Sequence, residues 1–418
     1  MSQPFSAALP SPAAPAAVAL ALPAPEAVPL PARTRLDAPD FLRGLVMVLM
    51  ALDHVRDFFT NVLFDPLDLT RTTTVLFLTR WVTHFCAPVF VLLAGASAFL
   101  YGSRGRTRAE ISWFLLTRGL WLVVLELTVV RFGWFFNLDY QLTGGQVIWA
   151  IGWAMVVLAG LSYVLPVRAV AGLGVLIIIG HNLLDPLVPA QFGGAAWVWM
   201  VLHEGGLLQL DATHAFYAAY PLLPWVGVIC AGYGFGALLA LPPARRQRVL
   251  LTLGLGLTAA FVALGLFAGY GDTTPWTSQP TAWRTVLSFL DVQKYPPALL
   301  YVLMTLGPAI AALPLLERWP DGAVKRFFVT FGRVPLFYYV LHLLLIHLVA
   351  VLVAVALGLD HRYLLRLGPL LPSPPAAWGF GLPVVYGVWA GVVLALYPLC
   401  RWFAGVKARS RAWWLSYL

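Results

Sequence analysis

The chain has 418 residues, of which 60% are hydrophobic and 11% charged, with a mean hydropathy of +0.81. Soluble domains carry about a quarter charged residues, so a soluble enzyme is excluded and an integral membrane protein remains. The net charge of +9 would suggest nucleic acid in a soluble protein; in a membrane protein, basic loops account for it and no nucleic-acid partner is expected.

Residues Met1 to Ala32 are mostly Ala and Pro, with Glu26 the only charge. No basic stretch precedes an apolar core, so the segment does not read as a secretory signal, and its composition predicts a disordered tail. A membrane domain is expected over 33–406, then a short basic and aromatic cytoplasmic tail over 407–418.

Lipid forbids open sheets, so an all-α, polytopic helical bundle follows, and spans of about 20 apolar residues suit a bilayer core. Ten are expected: Phe41–Phe59, Val75–Leu100, Ile111–Val130, Gln146–Leu165, Val167–Leu184, Ala215–Leu241, Val249–Tyr270, Pro297–Leu316, Phe327–Leu357 and Trp378–Phe403. Ala196–Leu202 reads as a short interfacial or re-entrant helix, and Leu371–Pro375 as a Pro-rich loop. Ten spans place both termini on one side. That side collects 18 of the 27 Lys and Arg residues, the other side holds 8, and Arg118 falls within a span. The positive-inside rule therefore predicts cytoplasmic N and C termini. In this topology His54, His84, His181, His203, His214 and His361 face the outer half, with His342 and His347 in the ninth span.

The first span carries Asp53, His54, Arg56 and Asp57 at its end, which a plain anchor would not. At about 100° and 1.5 Å per residue, Arg43 and His54 share a face and lie about 16 Å apart along the helix. Asp40 and Asp57 lie on the same side, while Asp53 points elsewhere. Charges near the bilayer centre persist when they pair or face water, so this face could line a channel. The competing reading makes Arg43 a topology anchor and His54 a helix-end cap. Arg80 and His84 share a face at the start of the second span. Arg333 shares a face with His347, whereas His342 lies roughly opposite. Lys294 opens the eighth span as a snorkelling anchor or as an acceptor contact. Arg118 and Glu126 read as structural polar contacts. The Trp-rich ends, including Trp134, Trp197, Trp199, Trp413 and Trp414, read as interfacial belts. Cys86, Cys230 and Cys400 read as buried hydrophobes. No metal site is expected: no His pair has zinc spacing, and His203-Glu204 has no third ligand nearby in sequence.

Four stretches, RLDAPDFLRGLVMVLMALDHVRDFF, THFCAPVFVLLAGASAFL, FLDVQKYPPALLYVLMTLGPA and FGRVPLFYYVLHLLLIH, resemble the bacterial relatives of heparan-alpha-glucosaminide N-acetyltransferase. The Arg43-to-His54 spacing also resembles the first-helix signature of the broad acyltransferase three family. The resemblance implies transfer of an acyl group, most simply acetyl, from cytoplasmic acyl-CoA to a hydroxyl or amino acceptor, such as a sugar or amino sugar, on the outer side of the cytoplasmic membrane. No tightly bound cofactor is expected. Arg43, with Asp40 and Arg333, would meet CoA. The catalytic candidates are His54 and His84, with Asp53 or Asp57 fixing the imidazole tautomer. Arg80, Lys294 and His347 would meet the acceptor. Lumenal relatives carry their catalytic histidine in the first outer loop, but Thr60–Thr74 has none here. That leaves open the choice of base, and the choice between direct transfer and an acyl-histidine intermediate. The expected partners are the lipid bilayer, acyl-CoA and the acceptor, with a homodimer as one open assembly. A proton-coupled transporter using the same Asp, His and Arg groups is the alternative.

Overall fold

The structure is a computed structural model and describes residues 36–267, 269–366, 378–410 and 412–417. The Ala/Pro tail and the loop over 371–375 lie outside these residues.

Among the described residues, nine helices are long and apolar enough to cross a membrane. They are α2 (Thr74–Gly102), α3 (Arg108–Phe135), α4 (Val147–Val164), α5 (Val167–Leu184), α6 (Leu222–Leu239), α7 (Pro243–Phe267), α8 (Leu299–Glu317), α10 (Pro335–Ala356) and α11 (Leu382–Arg409). Before them comes α1 (Asp37–Phe59), of membrane length but with several ionisable groups. Between α8 and α10 lies the amphipathic α9 (Ala323–Arg333). The chain is thus an all-α, multi-pass membrane protein.

Helix α1 is the hub. It packs against α2, α8, α9, α10 and α11, and apolar and polar residues are buried all round it. A helix buried on every face can keep ionisable groups only if neighbours pair them. Its crossing with α9 depends on two glycines. A Cβ on Gly44 would lie 1.8 Å from the Phe328 carbonyl oxygen, and one on Gly332 would lie 1.8 Å from that of Asp40. The glycine after Arg43 is therefore a packing requirement, and it seats Arg43 beside α9. At the other end of α1, Phe380 donates its N–H to the Phe59 carbonyl at 2.7 Å, and Trp378 Nε1 donates to the Phe58 carbonyl at 3.1 Å. The entry to α11 is thereby fixed.

Local chemistry sets other boundaries. Thr107 and Glu110 form a reciprocal capping box that starts α3. Farther along, α3 passes through a π-helical turn at Glu126–Val130. This turn aims the buried Glu126 carboxylate at the start of α4, where it accepts the Trp149 N–H at 3.3 Å. Glu126 therefore joins two helices, as the sequence suggests, but by capping an N-terminus.

Two expectations are corrected. The span expected over Ala215–Leu241 starts only at Leu222. Ala215–Ala218 is instead a strand (β3) that pairs parallel with β1 (Leu142–Gly145) and antiparallel with β2 (Gly206–Gln209). Pro221 and Pro224, which lack N–H donors, suit a helix start and not its interior. The span expected over Phe327–Leu357 is two helices broken at Val334, which leaves the helical region before Pro335. Helix α11 continues to Arg409, and the Tyr417 hydroxyl lies 2.7 Å from that of Thr117.

Candidate active site

Burial of α1 brings its polar residues into two groups, one near each end. Near the start, Arg43 Nη1 donates to Asp40 Oδ1 at 3.1 Å and to the Gly332 carbonyl at 3.2 Å, and Nη2 donates to Ser97 Oγ at 3.2 Å. Arg333 donates to Asp37 at 3.0 Å and stands 4.0 Å from Asp40. Arg118 lies close enough to Arg43 to repel it electrostatically. Two guanidinium groups, those of Arg43 and Arg333, therefore meet the carboxylates of Asp37 and Asp40. A separate cavity of about 260 Å³ lies between Phe99, Ser103, Arg108, Ser162 and Tyr233, and takes in neither Arg43 nor His54.

Near the other end, Arg80 Nη1 donates to both oxygens of Asp53 at 2.7 Å. Arg56 Nη2 donates to Asp53 at 3.0 Å and to Asp57 at 2.7 Å. Lys294 is buried with its Nζ 5.1 Å from the Tyr295 ring centroid, and its charge reaches Asp53, His54 and His84. Three cations against two carboxylates leave one positive charge in excess. Neither carboxylate holds His54. Both are occupied by arginines, which corrects the expectation that Asp53 or Asp57 fixes the imidazole.

The partner of His54 is His342, whose Nε2 lies 2.8 Å from His54 Nδ1, with the rings 4.9 Å apart and nearly parallel. The direction of the bond follows from the next link. His342 Nδ1 lies 3.0 Å from the Tyr338 carbonyl oxygen, which can only accept, so His342 Nδ1 carries the proton. In neutral His342 the Nε2 is then an acceptor, and His54 must donate through Nδ1. The lone pair of His54 is left on Nε2. Only 8% of His54 remains exposed, against an edge of Trp134 (5.1 Å between ring centroids) and Tyr339 (6.0 Å). Trp134 Nε1 and the Tyr339 hydroxyl are both buried without a hydrogen-bond partner. Trp134, expected in an interfacial belt, is 2% exposed and stacks on Phe58.

The wheel that paired Arg333 with His347 fails because α9 and α10 are separate helices. His342 reaches His54, whereas His347 donates through Nδ1 to the Gly133 carbonyl at 2.8 Å and stacks on Phe136. His84 does not follow Arg80 around one regular helix either. It lies in a 3₁₀ turn, Val82–Phe85, inside α2. His84 is 1% exposed, and both ring nitrogens lack protein partners. Orphans of this kind are satisfied by ordered water or by substrate. The residues missed from sequence are His342, Trp134 and Tyr339. All three sit in apolar helical runs, and only their approach to His54 distinguishes them.

A model of the catalytic domain of heparan-alpha-glucosaminide N-acetyltransferase matches residues 35–265, more than half of the chain. The chain belongs to the heparan-alpha-glucosaminide N-acetyltransferase family. No curated protein matches it. The matched region of this transferase-family chain includes Arg43, Asp53, His54, Asp57, Arg80, His84 and Trp134. Lys294, Arg333, Tyr339 and His342 lie beyond it, so the partner of His54 comes from outside the stretch that carries the family match.

Proposed function

We propose that the protein transfers an acetyl group from acetyl-CoA, bound on the cytoplasmic side of the bacterial inner membrane, to a sugar hydroxyl or amine on the outer side. His54 Nε2 is the base. The observation that carries this reading is the oriented chain from His54 Nδ1–H to His342 and on to the Tyr338 carbonyl, which leaves a free lone pair next to unsatisfied donors.

In this mechanism Arg43, supported by Arg118 and Arg333, meets the phosphates of CoA. Guanidinium groups suit bidentate phosphate contacts. The acceptor O–H or N–H gives its proton to His54 Nε2 as its heteroatom attacks the thioester carbonyl. The imidazolium that forms keeps its Nδ1–H bond to His342. Trp134 Nε1–H and the Tyr339 hydroxyl supply donors for the tetrahedral oxyanion, within the positive field of Lys294 and Arg80. Collapse breaks the C–S bond, and the CoA thiolate takes the proton back from Nε2. His84, buried with both ring nitrogens unsatisfied, meets the acceptor or a bridging water. A positioned base of this kind contributes about 10²–10⁴-fold in rate.

Purified protein with labelled acetyl-CoA and a panel of amino sugars and glycans tests the reading. Wild type should transfer label and His54→Ala should not. Transfer that survives the substitution removes His54 from the mechanism, and failure of the wild type to bind CoA sinks the reading altogether.

A further inference from the structure

Outside the α1 site, one cluster of ligating side chains is built from segments distant in sequence. The last turn of α5 carries His181 and Asn182, and Asp185 follows it. The π-helical turn Met200–Glu204 carries His203. One ligand atom from each of His181, Asp185 and His203 lies within 4.8 Å of the others. Both histidines are 2% exposed. The 22-residue separation explains why the spacing of the sequence gave no hint of a third ligand for His203.

Three features distinguish this cluster from a chance meeting of polar residues. First, neither ring nitrogen of His181 has a hydrogen-bond partner. A buried imidazole nitrogen left without a partner is costly, and a cation there removes the deficit. The Pro297 carbonyl stands beside the ring and can take the N–H on the other, the usual outer support for a metal-bound histidine. Second, the Asp185 carboxylate is already oriented. Asn182 Nδ2 donates to Asp185 Oδ2 at 2.8 Å, and Asn182 Oδ1 is itself held by the Leu299 N–H at 2.9 Å. Asp185 Oδ1 is left facing His203 Nε2 at 3.5 Å. Third, the His203 ring is clamped by stacking on Trp199, with centroids 4.9 Å apart, and Trp199 stacks on Phe192.

We propose that His181, Asp185 and His203 bind a zinc-class divalent cation that ties the end of α5 to the Met200–Glu204 turn beside the first turn of α8. Two imidazoles and one carboxylate suit zinc and its transition-metal neighbours, and do not suit calcium or magnesium, which prefer all-oxygen shells. Tetrahedral ligand atoms about 2.0–2.1 Å from zinc stand roughly 3.3 Å apart, so the side chains close inward by small rotations when the ion enters. His203 Nε2 now donates to the His181 carbonyl at 3.0 Å. Coordination through Nε2 therefore shifts that proton to Nδ1, the other neutral tautomer, and the carbonyl oxygen or a water takes the fourth position. The site does not depend on acyl transfer.

The test uses full-length protein purified in detergent without a polyhistidine tag, stripped with EDTA, and reloaded separately with Zn²⁺, Co²⁺ and Mg²⁺. Wild type should retain about one Zn²⁺ per chain after desalting, show the visible absorption of tetrahedral Co²⁺, and gain thermal stability with Zn²⁺ but not with Mg²⁺. His203→Ala and Asp185→Asn should lose all three responses. His214→Ala, which removes an exposed histidine paired with Asp211, should keep them. Asp185→Asn preserves side-chain shape, so it decides the matter if His203→Ala does not fold. Zinc retention that is absent in wild type, or equal in wild type and Asp185→Asn, overturns the proposal.

Discussion

Replacing His342 with Phe isolates the histidine pair from everything else in the site. Phe keeps a flat ring on the His54 ring, so the nearly parallel packing at 4.9 Å survives, but the Nε2 acceptor disappears. His54 Nδ1–H is then a buried donor without a partner, and no carboxylate can replace His342 because Arg56 and Arg80 hold Asp53 and Asp57. An unsatisfied buried donor costs about 1–3 kcal/mol. The penalty is greatest when His54 carries the extra proton, so it falls on the transition state. At 1.36 kcal/mol per factor of ten, kcat drops by about 5- to 150-fold, while KM for acetyl-CoA stays near wild type because Arg43 is untouched. The assay is release of the CoA thiol at saturating donor and acceptor, with His54→Ala and the double variant alongside. The two substitutions should be strongly non-additive, since without His54 the acceptor on His342 has nothing to orient. A His342→Phe enzyme with unchanged kcat, beside an inactive His54→Ala, would refute the relay.

Five further outcomes follow from particular residues. Arg43→Ala should raise KM for acetyl-CoA by about 10- to 100-fold, the worth of a charge-assisted hydrogen bond, with a smaller change in kcat; steady-state kinetics decides this. Tyr339→Phe should lower kcat by about 10²-fold with little effect on KM if its hydroxyl meets the oxyanion, and an unchanged kcat removes it from that role. Gly332→Ala should sharply lower the thermal unfolding midpoint and disturb Arg43, because the added Cβ meets the Asp40 carbonyl at 1.8 Å. Gly160→Ala, with nothing within 4 Å of its Cβ, should be neutral or stabilising. In the loop before α8, burial, together with Asp65, Asp272 and Asp68, pushes the Asp291 carboxyl up from 3.8 to about 6. The unfolded chain therefore gives up this proton first, and folding is penalised as pH rises through that window. Asp291→Asn should raise the unfolding midpoint at pH 7, and the gain should vanish near pH 4.

The sequence alone determined the membrane class, the helical architecture and the importance of α1. These rest on composition, on the length of apolar runs and on charges placed where lipid does not tolerate them, all of which are local properties. The spacing of Arg43 and His54 was legible for the same reason, since one continuous helix fixes both. Only the tertiary structure decided who partners whom. Asp53 and Asp57 look like natural supports for His54, yet arginines from α1 and α2 claim them, because burying two carboxylates demands compensating charge. His342 was misplaced because the wheel ran through Val334-Pro335, where the chain leaves the helix before turning into α10. Trp134 reads as belt, and Tyr339 is one aromatic among many in an apolar run. Their significance arises only when three helices bring their unsatisfied N–H and O–H groups beside one imidazole, and a linear pattern cannot encode that convergence.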